Sequence, residues 1–444
     1  MISRSPLRRG LARLVPVLLG ALLITGLAVP VSANDSNTSS AAADLRITLS
    51  RLLGEHGTLA IKAMRAGVDG APEFESAANA LELNTQDLQA AITGVYGDDA
   101  GTAFGEMWRN HIGFFVDYTV GLATGDEPAK EQALERLDNY RADFSQFLAG
   151  ANPNLDAAEL AEGLQVHVNQ LVEQIEAYAE DDFARAYEFE REAYMHLTMT
   201  GDLLAWAIVE QFPDQFPGAT NSPLADLRSL LGRLLGEHGT LALGAMRAGL
   251  NGDATFEPAA NALEGNTQDL QDAITSVYGA EAGEAFGQLW RDHIGFFVDY
   301  TVGLATGDED AKEQALERLN QYRQDFGQFL AGANPNFDGD QIAAGLQVHV
   351  DQLVEQIELY ADDDFAAAYE LEREAYMHLW MTGDALAAGI AAQFPDLFSP
   401  AMPDSHTEAS QQPTSVVPAL VAALALAVGV VVTGRFAGQF IRRD

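Results

Sequence analysis

Apolar side chains recur every three or four residues along most of the chain. In one stretch, Leu49, Leu52 and Leu53 are followed by His56 and Leu59. This spacing puts the residues on one face of an α-helix, and the alternation typical of a β-strand is absent. The pattern predicts an all-α protein built from amphipathic helices.

Turn-forming residues interrupt this pattern at regular distances. The breaks fall at 67–72, 96–101, 124–128, 150–153 and 180–182. They leave six helices of roughly 20–30 residues before residue 217. Asp126 and Asp156 stand where a helix N-cap is expected, since an Asp side chain can accept a hydrogen bond from the first turn.

The helical unit is written twice. The segment from His111 to Glu127 returns unchanged from His293 to Glu309, at an offset of 182 residues. A period of this length is that of a whole domain. We therefore predict two tandem six-helix bundle domains, at 43–216 and 225–398, with linkers at 34–42 and 217–224.

A weaker repeat lies inside each copy. The spacing between His56, His111 and His167 is 55 and then 56 residues. Turn residues follow each histidine at about half the length of a helix further along the chain. This spacing predicts three helical hairpins per domain, each opening with a helix that carries a histidine.

The N-terminus reads as a targeting segment. Four arginines precede an apolar run, and Val31-Ser32-Ala33 supplies small residues for cleavage. Residues 1–33 are therefore predicted to be a secretory signal peptide. Arg8-Arg9 leaves a twin-arginine export signal open as an alternative.

The C-terminus reads as a membrane anchor. Residues 416–434 are uncharged and apolar, and such a helix would be about 28 Å long, enough to span a bilayer. A Pro/Ser-rich stalk at 399–415 precedes it, and Arg435, Arg442 and Arg443 mark the tail at 435–444 as cytoplasmic. The chain is predicted to be a single-pass protein of the cell membrane, with its bulk outside.

The charge is strongly negative. There are 65 acidic and 25 basic residues, a net charge of −40, and no cysteine. Nucleic-acid binding is disfavoured because phosphate contacts need a basic surface. Disulfides, thiol nucleophiles and Cys-ligated metals are excluded. An acidic, lysine-poor surface suits a high-salt environment, where charge repulsion is screened.

Histidines carry the candidate chemistry. Eight of the nine form matched pairs between the copies, and three per copy stand in apolar stripes where leucine is expected. Bundle cores often hold metal sites, and imidazole suits Zn, Cu, Fe and Ni. The predicted transition-metal or cofactor ligands are His56, His111, His167, His196 and Glu192, with His238, His293, His349, His378 and Glu374 in the second copy. Glu55 and Asp117, which recur as Glu237 and Asp299, are candidates for completing or supporting carboxylates.

A structural explanation of the histidines stays open beside the metal site. A single histidine on an apolar face is usually a core residue with a satisfied hydrogen bond. Asn84 also interrupts an apolar stripe. All four histidines of each copy could therefore be structural members of a buried hydrogen-bond network.

No motif of a known enzyme class is present. The sequence lacks Gly-x-Ser-x-Gly, a P-loop, a dinucleotide fingerprint and His-Glu-x-x-His. We therefore expect a non-enzymatic extracellular binding protein with a metal or surface partner. The alternative is a surface scaffold or adhesion protein whose histidines are structural.

The segment from Trp108 to Tyr118, together with Glu55-His56 and the Asn152-Pro153-Asn154 turn, resembles an uncharacterised family of secreted bacterial all-helical repeat proteins. The resemblance covers roughly 43–216 and 225–398. It implies an exported all-α domain and gives no information on catalysis. The aromatic run itself is expected to pack inside a central helix.

The first prediction concerns topology. Residues 34–412 should lie outside the cell, because the apolar span is followed directly by arginine. Protease added to intact cells should remove both predicted domains and leave a short membrane-bound fragment, as seen on an immunoblot against a C-terminal tag. Full protection of both domains until the cells are lysed would contradict this topology.

Overall fold

The computed structural model describes residues 39–398, and within that range the chain is all-α, without a strand. The first copy forms six helices: α1 (Ala41–Asp69), α2 (Phe74–Tyr96), α3 (Asp98–Thr124), α4 (Glu127–Ala151), α5 (Ala157–Ala179) and α6 (Phe183–Gln211). The second copy repeats them: α7 (Pro223–Asn251), α8 (Phe256–Tyr278), α9 (Ala280–Thr306), α10 (Glu309–Ala333), α11 (Gly339–Ala361) and α12 (Phe365–Gln393), followed by the short α13 (Pro395–Phe398). We call α1–α6 the first repeat and α7–α12 the second repeat.

The predicted signal peptide and membrane anchor lie outside this range. The signal peptide at 1–33, the stalk and the membrane helix at 416–434 all lie beyond the described residues. Within residues 39–398, no helix combines the length and the apolar character that crossing a bilayer requires.

Sequence features at the turns act as the helix boundaries predicted. Gly70 and Gly125 end α1 and α3 in the left-handed conformation, which glycine adopts without a steric cost. Asp126 and Asp156 cap α4 and α5, each accepting a backbone N–H from the first turn. The turn after α5 instead places Asp181 at a φ of 61°.

Each repeat closes on itself. Consecutive helices pack side by side, and α6 packs along α1, so the six helices form a closed bundle. Helices α1, α3 and α5 also contact one another inside it. Because each of these is followed by a returning helix, all three run in the same direction.

The two larger apolar clusters of the first repeat lie on opposite sides of its middle. One contains Leu59, Leu137 and Ile175, and the other contains Leu53 and Phe144. The second repeat has the same division. The middle of each bundle, between the two clusters, is where the histidines lie.

The two repeats face each other through equivalent surfaces. Tyr194 and Tyr376 are the same position in the two copies, and their hydroxyl oxygens are 3.1 Å apart. Helix α2 contacts α12, and α8 contacts α6 in the mirrored arrangement. Such reciprocal contacts are those of a two-fold, isologous interface.

Reciprocal arginines cross this interface. Arg373 of the second repeat donates to Glu55 at 3.0 and 3.2 Å and to Asp87 at 2.7 Å. Arg191 makes the equivalent bonds to Glu237 and Asp269. Each repeat therefore holds a carboxylate on the histidine-bearing first helix of the other.

One buried ion cluster breaks the symmetry. Glu372 accepts from Arg247 at 2.6 Å within its own repeat and also from Lys62 of the first repeat. The position equivalent to Lys62 is Gly244, so Glu190 pairs with Arg65 alone. Burial by itself raises the pKa of Glu372, but the charges of Lys62 and Arg247 hold it below the usual value.

The second prediction concerns this cluster. Glu372→Gln should lower the free energy of unfolding by about 3–5 kcal/mol, because Lys62 and Arg247 would stay buried after losing the carboxylate that both of them contact. The measurement is urea unfolding followed by circular dichroism. Glu82→Gln is the matched control, since Glu82 pairs with Arg109 at the surface, where such a pair contributes under about 1 kcal/mol. Equal losses in the two variants would show that the buried cluster has no special role.

Candidate metal centre

Three helices bring a histidine to the same level of each bundle. His56, His111 and His167 lie near the middle of α1, α3 and α5. Because these helices run in the same direction and contact one another, their mid-points meet in the bundle interior. The hairpin repeat predicted from the histidine spacing is thus also a repeat in space.

The three side chains converge. One nitrogen from each of His56, His111 and His167 lies within 4.8 Å of the others. The ring centroids of His56 and His111 are 5.4 Å apart, and those of His56 and His167 are 6.1 Å apart. All three are buried, with His56 only 1 % exposed. We call this set the histidine triad.

The second repeat contains the same triad. His238, His293 and His349 also have ligand atoms within 4.8 Å of one another. Their ring centroids are 5.4 and 6.1 Å apart, as in the first repeat. The arrangement therefore belongs to the repeated fold and not to one copy.

The donor set fits a transition metal. In a tetrahedral site, Zn–N bonds of about 2.0–2.1 Å place two ligand nitrogens roughly 3.4 Å apart. The triad nitrogens lie within 4.8 Å of one another, so the three rings would have to move closer together around a bound ion. Three protein ligands leave the fourth position of a tetrahedral metal free for another ligand.

The triad nitrogens have few partners in the protein. Neither ring nitrogen of His56 has a hydrogen-bond partner among protein atoms, and the same is true of Nδ1 of His167. The equivalent atoms of His238 and His349 repeat this. Buried polar atoms are normally paired, and leaving one unpaired costs about 1–3 kcal/mol. The unpaired nitrogens are therefore an argument for a ligand.

Burial keeps the triad neutral. Burial and the nearby His167 together lower the pKa of His111 to about 3, although a hydrogen bond from its ring to the backbone carbonyl of Trp108 acts in the opposite direction. Burial also places the pKa of His56 and His167 well below the usual value. Neutral imidazole is the form that ligates a metal, so the site is in its binding form at neutral pH.

Aromatic rings surround the triad. Trp108 lies 4.8 Å from His56 and 4.6 Å from His111, measured between ring centroids. Tyr140 stacks on His111 at 4.9 Å. The expected burial of the aromatic run in a central helix is confirmed for Trp108 and Phe115. Tyr140 was missed, although it stands in an apolar stripe of α4 between Leu137 and Phe144.

The fourth histidine of each repeat is not part of the triad. The Nε2 of His196 donates to the carbonyl of Gly163 on α5 at 3.0 Å, and His378 makes the same bond to Gly345 at 3.2 Å. The ring of His196 is thus held by a neighbouring helix backbone. The sequence analysis predicted four histidines per repeat as metal ligands, but only three of them lie close together in the structure.

The predicted carboxylates do not join the triad either. Neither Glu192 nor Glu374 is among the converging side chains, and Glu374 is exposed. The supporting candidates are engaged elsewhere: Asp117 pairs with Arg136 at 2.9 Å, and Asp299 pairs with Arg318 at 2.7 Å. The triad is therefore an all-imidazole set.

A buried polar network does form next to the triad, around Asn84. Its side chain donates to Glu55 at 2.7 Å and to the carbonyl of Leu52 at 3.0 Å. Glu55 in turn accepts from Arg373 of the second repeat. This network ties down the residue that precedes His56 but contains no hydrogen bond from the His56 ring.

Comparison with known proteins finds no match, whether among family models, curated proteins or solved structures. The resemblance to secreted bacterial repeat proteins therefore stays a prediction. The functional argument depends on the geometry of the triad.

The third prediction concerns pH. A histidine whose pKa is about 3 when folded and about 6.5 when unfolded takes up a proton only on unfolding between these values. Stability should therefore be lost as pH falls below 6.5, by about 1.4 kcal/mol per pH unit for each such histidine.

Comparison of the metal-free wild type with His111→Leu between pH 7 and pH 5 isolates one group. The unfolding free energy of the variant should fall less steeply, because one proton uptake has been removed. Parallel pH profiles for the two proteins would contradict a neutral, buried His111.

Proposed function

We propose that this chain is an exported, membrane-anchored binding protein that holds one transition-metal ion in each of two tandem six-helix bundle domains. Each domain would consist of three helical hairpins. The observation that supports the proposal most is the triad itself, with three buried imidazoles converging and ring nitrogens that no protein atom satisfies. The exact recurrence of this arrangement supports one ion per domain.

The chemistry of the donor atoms limits which metal ions the triad could bind. Hard cations such as Ca²⁺ and Mg²⁺ prefer oxygen ligands, which the triad lacks. Neutral imidazole suits Zn, Cu, Fe and Ni. Because no carboxylate belongs to the triad, a bound cation would keep its charge in an apolar layer, which favours a further anionic or polar ligand at the free position.

The location rests on the sequence. A signal peptide at 1–33 and an apolar span at 416–434 followed by Arg435 support an anchored protein whose helical part faces the exterior. In that position the metal sites would meet ions and partners from outside the cell.

The alternative function is a surface scaffold with structural histidines. The bond from His196 to Gly163 and the Asn84–Glu55 network favour it, because both are buried polar interactions that need no ligand. They do not involve the triad nitrogens. The two functions therefore differ in what substitution of a triad residue does to metal content.

The fourth prediction tests the metal. The full chain, purified in detergent and dialysed against Zn, Cu, Ni or Co salts, should retain two ions of at least one of these metals. His111→Leu and His293→Leu should each retain one, and the double variant none, as measured by elemental analysis. An ion in hundredfold excess over its Kd should also stabilise the wild type by about 2.7 kcal/mol.

His196→Leu is the matched control, since it removes a buried histidine that is not in the triad and should leave two ions bound. The scaffold function predicts the opposite pattern. No metal would be retained, and each triad substitution would only change the stability of the metal-free protein, by about 1–3 kcal/mol.

A further inference from the structure

A large apolar cavity lies beside the triad in the first repeat. Its volume is about 390 Å³, and its walls are apolar side chains such as Leu88, Phe104 and Phe144. Trp108, Tyr140 and two members of the triad, His111 and His167, line its inner end. Cavities of this size and lining are typical of binding sites for small molecules.

The second repeat has a smaller cavity at the same place. Its volume is about 130 Å³. Leu155 of the first repeat is replaced there by Phe337, whose larger ring lines the cavity. The backbone makes room for this ring at Gly389, where a Cβ atom would lie 2.0 Å from Phe337. The first repeat has Ala207 at the equivalent position, so the two exchanges belong together.

Two unpaired polar groups line the inner end of the larger cavity. The indole Nε1 of Trp108 and the hydroxyl of Tyr140 have no hydrogen-bond partner among protein atoms. Both residues are more than nine-tenths buried, at 7 and 8 % exposure. Each can donate a hydrogen bond, so a ligand that fills the cavity would present an acceptor at this end.

The charge of the lining excludes ionic ligands. No arginine or lysine lines the cavity, and its one acidic residue is Glu159. An anion would find no counter-charge and would face a chain of net charge −40. A cation would lose its hydration against apolar walls, because the carboxylate of Glu159 is exposed to solvent. The ligand should therefore be uncharged.

We propose that this cavity of the first repeat binds a neutral, mainly apolar molecule with one hydrogen-bond acceptor, and that the equivalent cavity of the second repeat does not. An apolar cavity of about 150 Å³ is already large enough for benzene. The first cavity therefore has room for a molecule of two fused rings, and the second does not. The site requires no bound metal, so it can be tested separately from the metal proposal.

The fifth prediction uses prodan, an uncharged naphthalene ketone whose fluorescence reports the polarity around its carbonyl. The full chain, treated with a chelator, should bind one prodan saturably with a rise in emission. Leu155→Phe combined with Ala207→Gly should weaken binding at least tenfold. The reverse exchange, Phe337→Leu combined with Gly389→Ala, should raise the stoichiometry to two.

The polar end has its own readout. Trp108→Phe combined with Tyr140→Phe should shift the emission of bound prodan to shorter wavelength, because its carbonyl would lose a hydrogen bond, and should weaken binding about tenfold. Circular dichroism checks that each variant is folded. If one exchange prevents folding, the reverse exchange decides the result.

Three outcomes would overturn the proposal. They are the absence of saturable binding to the wild type, equal binding by the exchanged variants, and a stoichiometry of two in the wild type. None of them bears on metal content, which the triad variants report. Loss of metal with prodan binding retained would leave this proposal intact.

Discussion

The layer of buried imidazoles is the constraint on which the rest of each bundle depends. Three histidines stand where leucine would satisfy the apolar stripe, and burial strongly disfavours their charged forms. The layer separates the two larger apolar clusters of the core. These clusters must stabilise the bundle enough to offset three desolvated polar rings. Binding of a ligand by the rings would offset the cost of burying them. The function proposed for this protein therefore centres on the triad.

The interface between the repeats acts on this layer directly. Glu55 precedes His56 in α1, and it is held by Asn84 from its own repeat and by Arg373 from the other. The mirrored bonds from Arg191 do the same for Glu237, which precedes His238. The backbone next to one triad histidine in each repeat is thus held in place by the other repeat. A duplicated chain with two triads is therefore more than two independent bundles in series.

Much of this architecture could be predicted from the sequence, because its causes are local. The helices follow from a period of three to four residues, and the turns follow from residues such as Gly70, Gly125 and Asp126. The similar spacing of His56, His111 and His167 predicted three helical hairpins, and the structure adds that the three histidines share one level of the bundle. The membership of His196 could not be judged, since the orientation of its ring depends on one carbonyl, that of Gly163. The interface between the repeats could not be predicted either. Arg373 and Glu55 are 318 residues apart in the sequence, and no sequence pattern links them.

The differences between the copies are as informative as their identity. The triad and the aromatic rings around it recur with nearly the same distances. The exchanges described above leave them unchanged: Gly244 for Lys62 alters the interface, and Phe337 with Gly389 alters the cavity. The second exchange is a compensated pair, since the ring of Phe337 occupies the space that a Cβ on residue 389 would need. These two changes fit each other, and the cavity beside them is only about 130 Å³, while the triad is unchanged. The cavity can therefore differ between the copies without any change in the triad, which indicates that the two have separate roles.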